Sequence, residues 1–236
     1  MNEHYYVSHA ARLLKDFDRT CRWFKPYLTE RYGQAFADTA LRTARQDYQR
    51  LIPQIPYIGG SKVHMTSNLM ESVQLLALLR TLKAYGKPPE ELRDIVLAGI
   101  RTRLSRYPRW LLKLAGWRAF SKPFVRHLRK QGTESQQRLY PDGFVFEVVI
   151  GDGRDFDWGL NFTECGICKF YQAQHATEFL PLVCPVDYAV SEALGYGLVR
   201  TQTLAEGDMC CNPRMKKRRP TQWRLPSDAM LHTGNE

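Results

Sequence analysis

Apolar residues recur at helical spacing through the first half of the chain. In residues 9–25, Leu13, Phe17, Cys21 and Phe24 share one stripe, and Pro26 is expected to end it. A second stripe joins Phe36, Ala40, Ala44, Tyr48 and Leu51 within residues 34–52. The run "PQIPYIGGS" then breaks the pattern with two prolines and a Gly-Gly pair. Asn68 and Glu71 have capping-box spacing, which predicts a helix over "LMESVQLLALLRTLKAYG" that stops at Gly86. In "KPPEELRDIVLAGIRTRLSRY" the prolines precede a first helical turn, and Leu92, Ile95, Val96, Ile100 and Leu104 line one face.

After Pro141 the texture changes. "GFVFEVVIGDG" is β-branched and aromatic, hence a strand, and "FDWGLNFTE" reads as its antiparallel partner through "GDGRD". Residues 165–176 and 184–194 look helical. "GLVRTQTLAEGDMCCNPRM" reads as another strand pair turning at Glu206-Gly207. The fold class is therefore α+β. A helical region over 1–140 precedes a cysteine-containing region over 141–215, with a small antiparallel sheet and helices, in one integrated domain. Residues 216–236 read as a polar tail in which "KKRR" is a solvated charge run.

Composition sets bounds on these elements. At 44% hydrophobic and 12% aromatic residues the chain is globular. No apolar run approaches the roughly 18 residues that span a bilayer. The N-terminus "MNEHYYVSHAARLLKDFD" carries acids and lacks an apolar core segment, so it does not read as a signal peptide. A reducing, cytoplasmic setting is expected, where disulfides are the weaker reading of cysteines.

The formal net charge of +10 is unevenly spread. Residues 141–210 hold three cations against eleven acids, a net of −8, so the remainder carries +18. Arg101 to Lys130 contains ten Lys or Arg and no acid. This asymmetry argues against a nucleic-acid-binding surface. Within the basic block, "YPRWLLKLAGWRAFSKPFVRHLRK" (107–130) mixes aromatics with cations. It suits a weak contact with a membrane surface or an anionic ligand. It equally suits a helix that packs its apolar face on the body. Pro123, which interrupts the amphipathic pattern, favours the second reading.

Five of the six cysteines fall within residues 165–211. Cys165-x2-Cys168 and Cys184-x2-Asp187 have nearly the spacing of a four-ligand zinc site, with a carboxylate in the last place. Zinc on Cys165, Cys184, Asp187 and Cys211 is chemically admissible, although nothing in the sequence requires a cofactor. A dithiol redox pair at Cys165 and Cys168 is a second option. A nucleophile is a third. Cys184, followed by Pro185 and with Asp187 one turn on, looks like a helix start whose dipole would favour the thiolate. Packing is the fourth option, since free cysteine is often buried.

The segment from Phe162 onward resembles the C-terminal signature of the L-2-amino-thiazoline-4-carboxylic acid hydrolase family. The matching residues are "NFTEC" with Cys165, "LVCPVDYA" with Cys184 and Asp187, "LVRTQTLAEG" with Arg200, Thr201, Thr203, Glu206 and Gly207, and "GDMCCN" with Cys211. Asn212 and Pro213 stand where that signature has an acid and an aromatic, and Cys168 and Cys210 lie outside it. The resemblance implies a hydrolase acting on a C–N bond of a cyclic amidine-like small molecule. A thiazoline ring would open to an N-carbamoyl amino acid. On that basis Cys184 or Cys165 would attack, with Asp187 or Glu206 carrying protons and Cys211 nearby. Arg200 would bind a substrate carboxylate, with Asn161, Thr201 and Thr203 as further binding residues. The alternative is a non-catalytic small-ligand, redox or metal sensor, because 4-vinyl-reductase-type domains have a similar "EG…C" ending.

Overall fold

The computed structural model describes residues 5–224. Helices α1 (Tyr5–Ser8), α2 (Ala10–Tyr32), α3 (Gln34–Leu51), α4 (Met65–Ala84), α5 (Pro89–Ser105), α6 (Arg109–Arg118) and α7 (Lys122–Ser135) come first. Strands β1 (Val145–Ile150) and β2 (Trp158–Glu164) follow. Then come helices α8 (Gly166–Ala173), α9 (Leu180–Val183) and α10 (Val186–Leu194), and strands β3 (Tyr196–Val199) and β4 (Arg214–Lys217). The class is α+β, as the pattern of periods predicts.

α4 is the central helix. Its buried residues, among them Leu69, Val73, Leu75, Leu76, Leu79 and Leu82, lie on all sides, and α3, α5 and α8 pack around it. α2 continues through Pro26 to Gly33, which has a positive φ of 86°. The proline removes one backbone donor, but Phe17, Phe24 and Leu28 lie on one buried stripe that spans it, so packing carries the helix past the break. α4 starts at Met65, before the expected cap. Asn68 therefore lies inside the first turn, and Glu71 pairs with Arg103 rather than capping. Pro123 sits in the first turn of α7, where a missing N–H is harmless, so it separates two helices instead of interrupting one.

The four strands form one antiparallel sheet in the order β1-β2-β4-β3. α7 covers β1, and Leu128, Phe146, Trp158, Leu160, Tyr188, Leu198 and Met215 make a small core beneath the sheet. The main core crosses residue 140. Phe170, Tyr171, Phe179 and Leu182 are buried in the same cluster as Phe17, Leu76 and Ile95. Tyr171 donates to the Ser72 carbonyl at 2.8 Å, tying α8 to α4.

β3 and β4 pair, but not as the expected tight hairpin. Residues 200–213 form a compact loop with a 3-10 turn at Leu204–Glu206. Side chains there replace ladder bonds. Asn212 Oδ1 accepts from the N–H groups of Thr201 and Gln202, and Asp208 Oδ2 accepts from Thr203 N–H. The expected tail also starts later. Lys216 and Lys217 complete β4, and Trp223 donates from Nε1 to Glu192 at 2.6 Å and lies 5.3 Å from the Tyr188 ring. Residues 225–236 lie outside the described residues. Among the described residues no helix is long and apolar enough to cross a membrane.

Candidate active site

Strand β2 ends at Glu164 and helix α8 begins at Gly166, so Cys165 occupies the helix cap. Glu164 is fixed by ion pairs to Lys169 and to Arg138, which closes this strand-to-helix corner. Cys168 lies in the first turn of α8. Cys184 has helical backbone and its N–H bonds the Leu180 carbonyl at 3.0 Å. It closes α9 rather than opening α10, whose cap is Pro185. Pro185 tolerates this because a helix cap needs no donor from it. The helix-start environment expected at Cys184 is thus found at Cys165. Cys211 faces β2 through an isolated bridge, exchanging two 2.9 Å backbone bonds with Phe162.

These four segments bring Cys165, Cys168, Cys184 and Cys211 into one cluster that interacts electrostatically with Asp187 and Arg200. All four residues are partly exposed, although dense protein surrounds their thiols. Arg200, one residue beyond β3, has a side chain only 6% exposed, not the solvent-facing position usual for an arginine on an outer strand. Its Nη1 pairs with Asp187 Oδ2 at 3.1 Å, its Nη2 donates to the Cys184 carbonyl at 2.7 Å, and its guanidinium lies 5.0 Å from the Tyr188 ring centroid. Burial works against that charge, but Asp187 and the neighbouring thiols outweigh it and raise the arginine above its usual value. The Asp187 side chain, by contrast, is 62% exposed.

The thiols differ. The Cys168 thiol, and then the N–H groups of Cys168 and Ile167, stabilise the Cys165 thiolate and hold this thiol below the ordinary cysteine value against its burial. Cys168 is raised in turn, first by that same bond to Cys165 and then by burial. Burial pushes Cys184 up to about 12, even with Arg200 pulling it down. Cys211 is pushed up by burial to about 11, again opposed by Arg200.

The remaining expected residues divide. Glu206 pairs with Arg224 at 2.9 Å. With Cys184, Arg200, Thr203 and Tyr188 they border a cavity of about 20 Å³, room for about one water molecule. Thr203 caps the 3-10 turn through its hydroxyl, which accepts from Ala205 N–H. Thr201 is exposed and accepts from Asn212 Nδ2. Asn161 bridges Glu147 and Arg214, whose 2.8 and 2.6 Å bonds occupy its amide. Thr201 and Asn161 therefore bond within the loop and the sheet. Cys168 and Arg224 join the site without any signal in the family signature, and Tyr188 lies within its "LVCPVDYA" segment but is not singled out there. Cys168 had only its CxxC spacing to suggest it.

Among the described residues no three His, Cys, Asp or Glu side chains are placed to hold a metal ion. Asp187 already meets Arg200.

Comparison with known proteins agrees with the motif reading. The family model described as L-2-amino-thiazoline-4-carboxylic acid hydrolase matches residues 67–215. No curated protein and no solved structure matches the chain. The matched region runs from α4 to β4 and takes in all four clustered cysteines, Asp187, Arg200 and Glu206. The chain thus belongs to the L-2-amino-thiazoline-4-carboxylic acid hydrolase family, whose name is that of a hydrolase.

Proposed function

We propose that the protein opens a small cyclic amidine-like ring by hydrolysis, with Cys165 as the nucleophile. The carrying observation is the position of Cys165. It caps a helix, faces donors that favour its thiolate, and shares a partly exposed cluster with a fixed cation and an exposed carboxylate. Cys184 and Cys211 are the poorer nucleophiles, because burial keeps them protonated at neutral pH.

For a 2-amino-thiazoline-4-carboxylate the steps balance as follows. The ring carbon between nitrogen and sulfur is electrophilic once the ring nitrogen is protonated. The Asp187 carboxylate faces that amidinium, while Arg200 holds it in place. The Cys165 thiolate forms a bond to the carbon and the ring C–S bond breaks, with the departing sulfur taking a proton. Water then adds to the same carbon and expels the Cys165 thiolate, and a proton is released. Both nitrogens stay on that carbon in an N-carbamoyl product. Ring opening therefore breaks the C–S bond and reduces the C=N bond order, and the expected scission of a C–N bond is not what atom balance gives. Arg200 has its Nη1 and Nη2 groups engaged inside the protein, which makes it a positioning residue rather than the seat for a substrate carboxylate.

Incubation with L-2-amino-thiazoline-4-carboxylate, followed by mass spectrometry, tests this. Wild type should convert substrate to a product heavier by one water, and Cys165→Ser should abolish conversion while Cys168→Ser retains a measurable rate. Turnover that survives Cys165→Ser removes Cys165 from its role. No turnover of this ring or of its six-membered thiazine homologue would refute the substrate class and turn the cluster toward sensing.

A further inference from the structure

Helix α6 displays an apolar face that nothing among the described residues covers. Of the eleven exposed large apolar side chains among the described residues, five (Tyr107, Trp110, Leu111, Leu114 and Trp117) lie between residues 107 and 117. Scattered single exposures need no explanation, but a concentrated cluster does. Trp110 is 67% exposed and Trp117 72%. The packing expected from sequence, apolar face inward and basic face outward, is therefore not what the fold adopts.

The contact that reverses it is specific. α6 packs on α10 through Gly116, its one buried residue. A Cβ at Gly116 would stand 2.0 Å from the Leu194 carbonyl oxygen, so only glycine allows this approach. At 3.6 residues per turn, Leu112 and Gly116 face the body, and Trp110, Leu114 and Trp117 share the opposite side. Lys113 and Arg118 flank that apolar arc, and Arg109 and Arg106 stand at its N-terminal end. All four cations are exposed, and none has a carboxylate partner among the described residues.

We propose that α6 is a membrane-surface contact, lying in the interface of a bilayer rich in anionic lipid. The charge sign selects the lipid. Exposed cations bordering a tryptophan- and leucine-bearing face are complementary to an anionic headgroup layer above an acyl boundary. Tryptophan suits that depth because its ring is apolar and its N–H is polar. Leu111 and Leu114 favour a bilayer over a nucleic acid, whose backbone offers aliphatic side chains nothing to bury against. The helix is about 15 Å long by its ten residues, far short of a span, so the contact is parallel to the surface. It is independent of the hydrolase reading.

The full-length protein should co-sediment with phosphatidylcholine–phosphatidylglycerol vesicles at low salt, with blue-shifted tryptophan emission, and bind pure phosphatidylcholine vesicles far more weakly. Trp110→Ser/Trp117→Ser should lower the partition coefficient at least tenfold with far-ultraviolet circular dichroism unchanged. Lys113→Gln should lower it about fivefold, the effect of one juxtaposed cation. No sedimentation with anionic vesicles at low salt overturns the proposal. So does a concentration-dependent dimer in vesicle-free buffer that the double variant abolishes, with no vesicle binding by either form, since that would assign the face to a second copy of the chain.

Discussion

Replacing Arg200 with methionine tests the architecture of the cysteine cluster directly. The guanidinium is almost wholly buried, and its bond to the Cys184 carbonyl is charge-assisted at 2.7 Å. Such a bond contributes roughly 1.5–3 kcal/mol. Its position 5.0 Å from the Tyr188 ring centroid adds up to about 2 kcal/mol in a desolvated site. The ion pair with Asp187 contributes less than about 1 kcal/mol, because that carboxylate is 62% exposed and water screens it. Methionine recovers most of the buried apolar contact and removes the cost of burying a charge, which offsets part of the loss. The net destabilisation should be about 3 kcal/mol. For a chain of this size that lowers Tm by roughly 6–12 °C. Urea unfolding followed by far-ultraviolet circular dichroism gives the number, with Arg200→Lys expected to fall between wild type and Arg200→Met. A loss below about 1 kcal/mol at unchanged m-value would mean that Arg200 is not the tie between β3, α9 and α10, and that the account of the cluster is wrong.

Other expectations follow from the same geometry. Iodoacetamide at pH 7.5 should alkylate Cys165 before Cys184 and Cys211, read by peptide mapping, because Cys165 alone has its thiol lowered by its bonding partners. Equal rates at the three sites would contradict the thiolate assignment. Cys184 and Cys211 are raised in the folded protein to about 12 and about 11, so the native state binds more protons than the unfolded chain above the ordinary thiol range. Their contribution is fully present below that range and is lost as pH rises through these folded values. Stability should therefore fall between pH 9 and pH 12, and Cys184→Ala should flatten the decline in chemical denaturation series. Cys165 has the opposite sign, with its contribution lost as pH falls through its lowered value. Gly116→Ala should destabilise by about 1–3 kcal/mol despite alanine's better helix propensity, because Leu194 presents backbone to the new methyl group. Limited proteolysis should then cut near residues 107–121, and an unchanged digest would show that α6 is not seated by that contact.

Helices α2 to α5 were legible because a 3.6-residue apolar period records which side of a helix is buried, whatever buries it. Their ends were less so. Pro26 and the Asn68–Glu71 pair carry local signals that the packing of Leu28 and the start of α4 at Met65 override. The β1–β2 hairpin was readable because "GDGRD" is a turn between two alternating runs. The 200–213 loop was not, since side-chain bonds from Asn212, Asp208 and Thr203 replace the ladder a strand pattern implies.

The sequence by itself determined the α+β class, the family and the chemical identities available to a site, because these rest on short-range periodicity and ordered motifs. It placed five cysteines close together along the chain, but nearness along a chain does not say which thiols meet. The Phe162–Cys211 bridge and the reach of Arg200 from β3 to Asp187 decide that, and both join residues from separate segments. Which thiol sits at a free helix start depends on where α8 and α10 begin, and that is settled by the strand-to-helix corner at Cys165 and by the continuity of backbone through Cys184. For α6 the sequence shows two faces, one apolar and one basic. Only the close seat of Gly116 on Leu194 decides that the apolar face points outward, because a periodic pattern records a difference between faces and not the partner that covers either one.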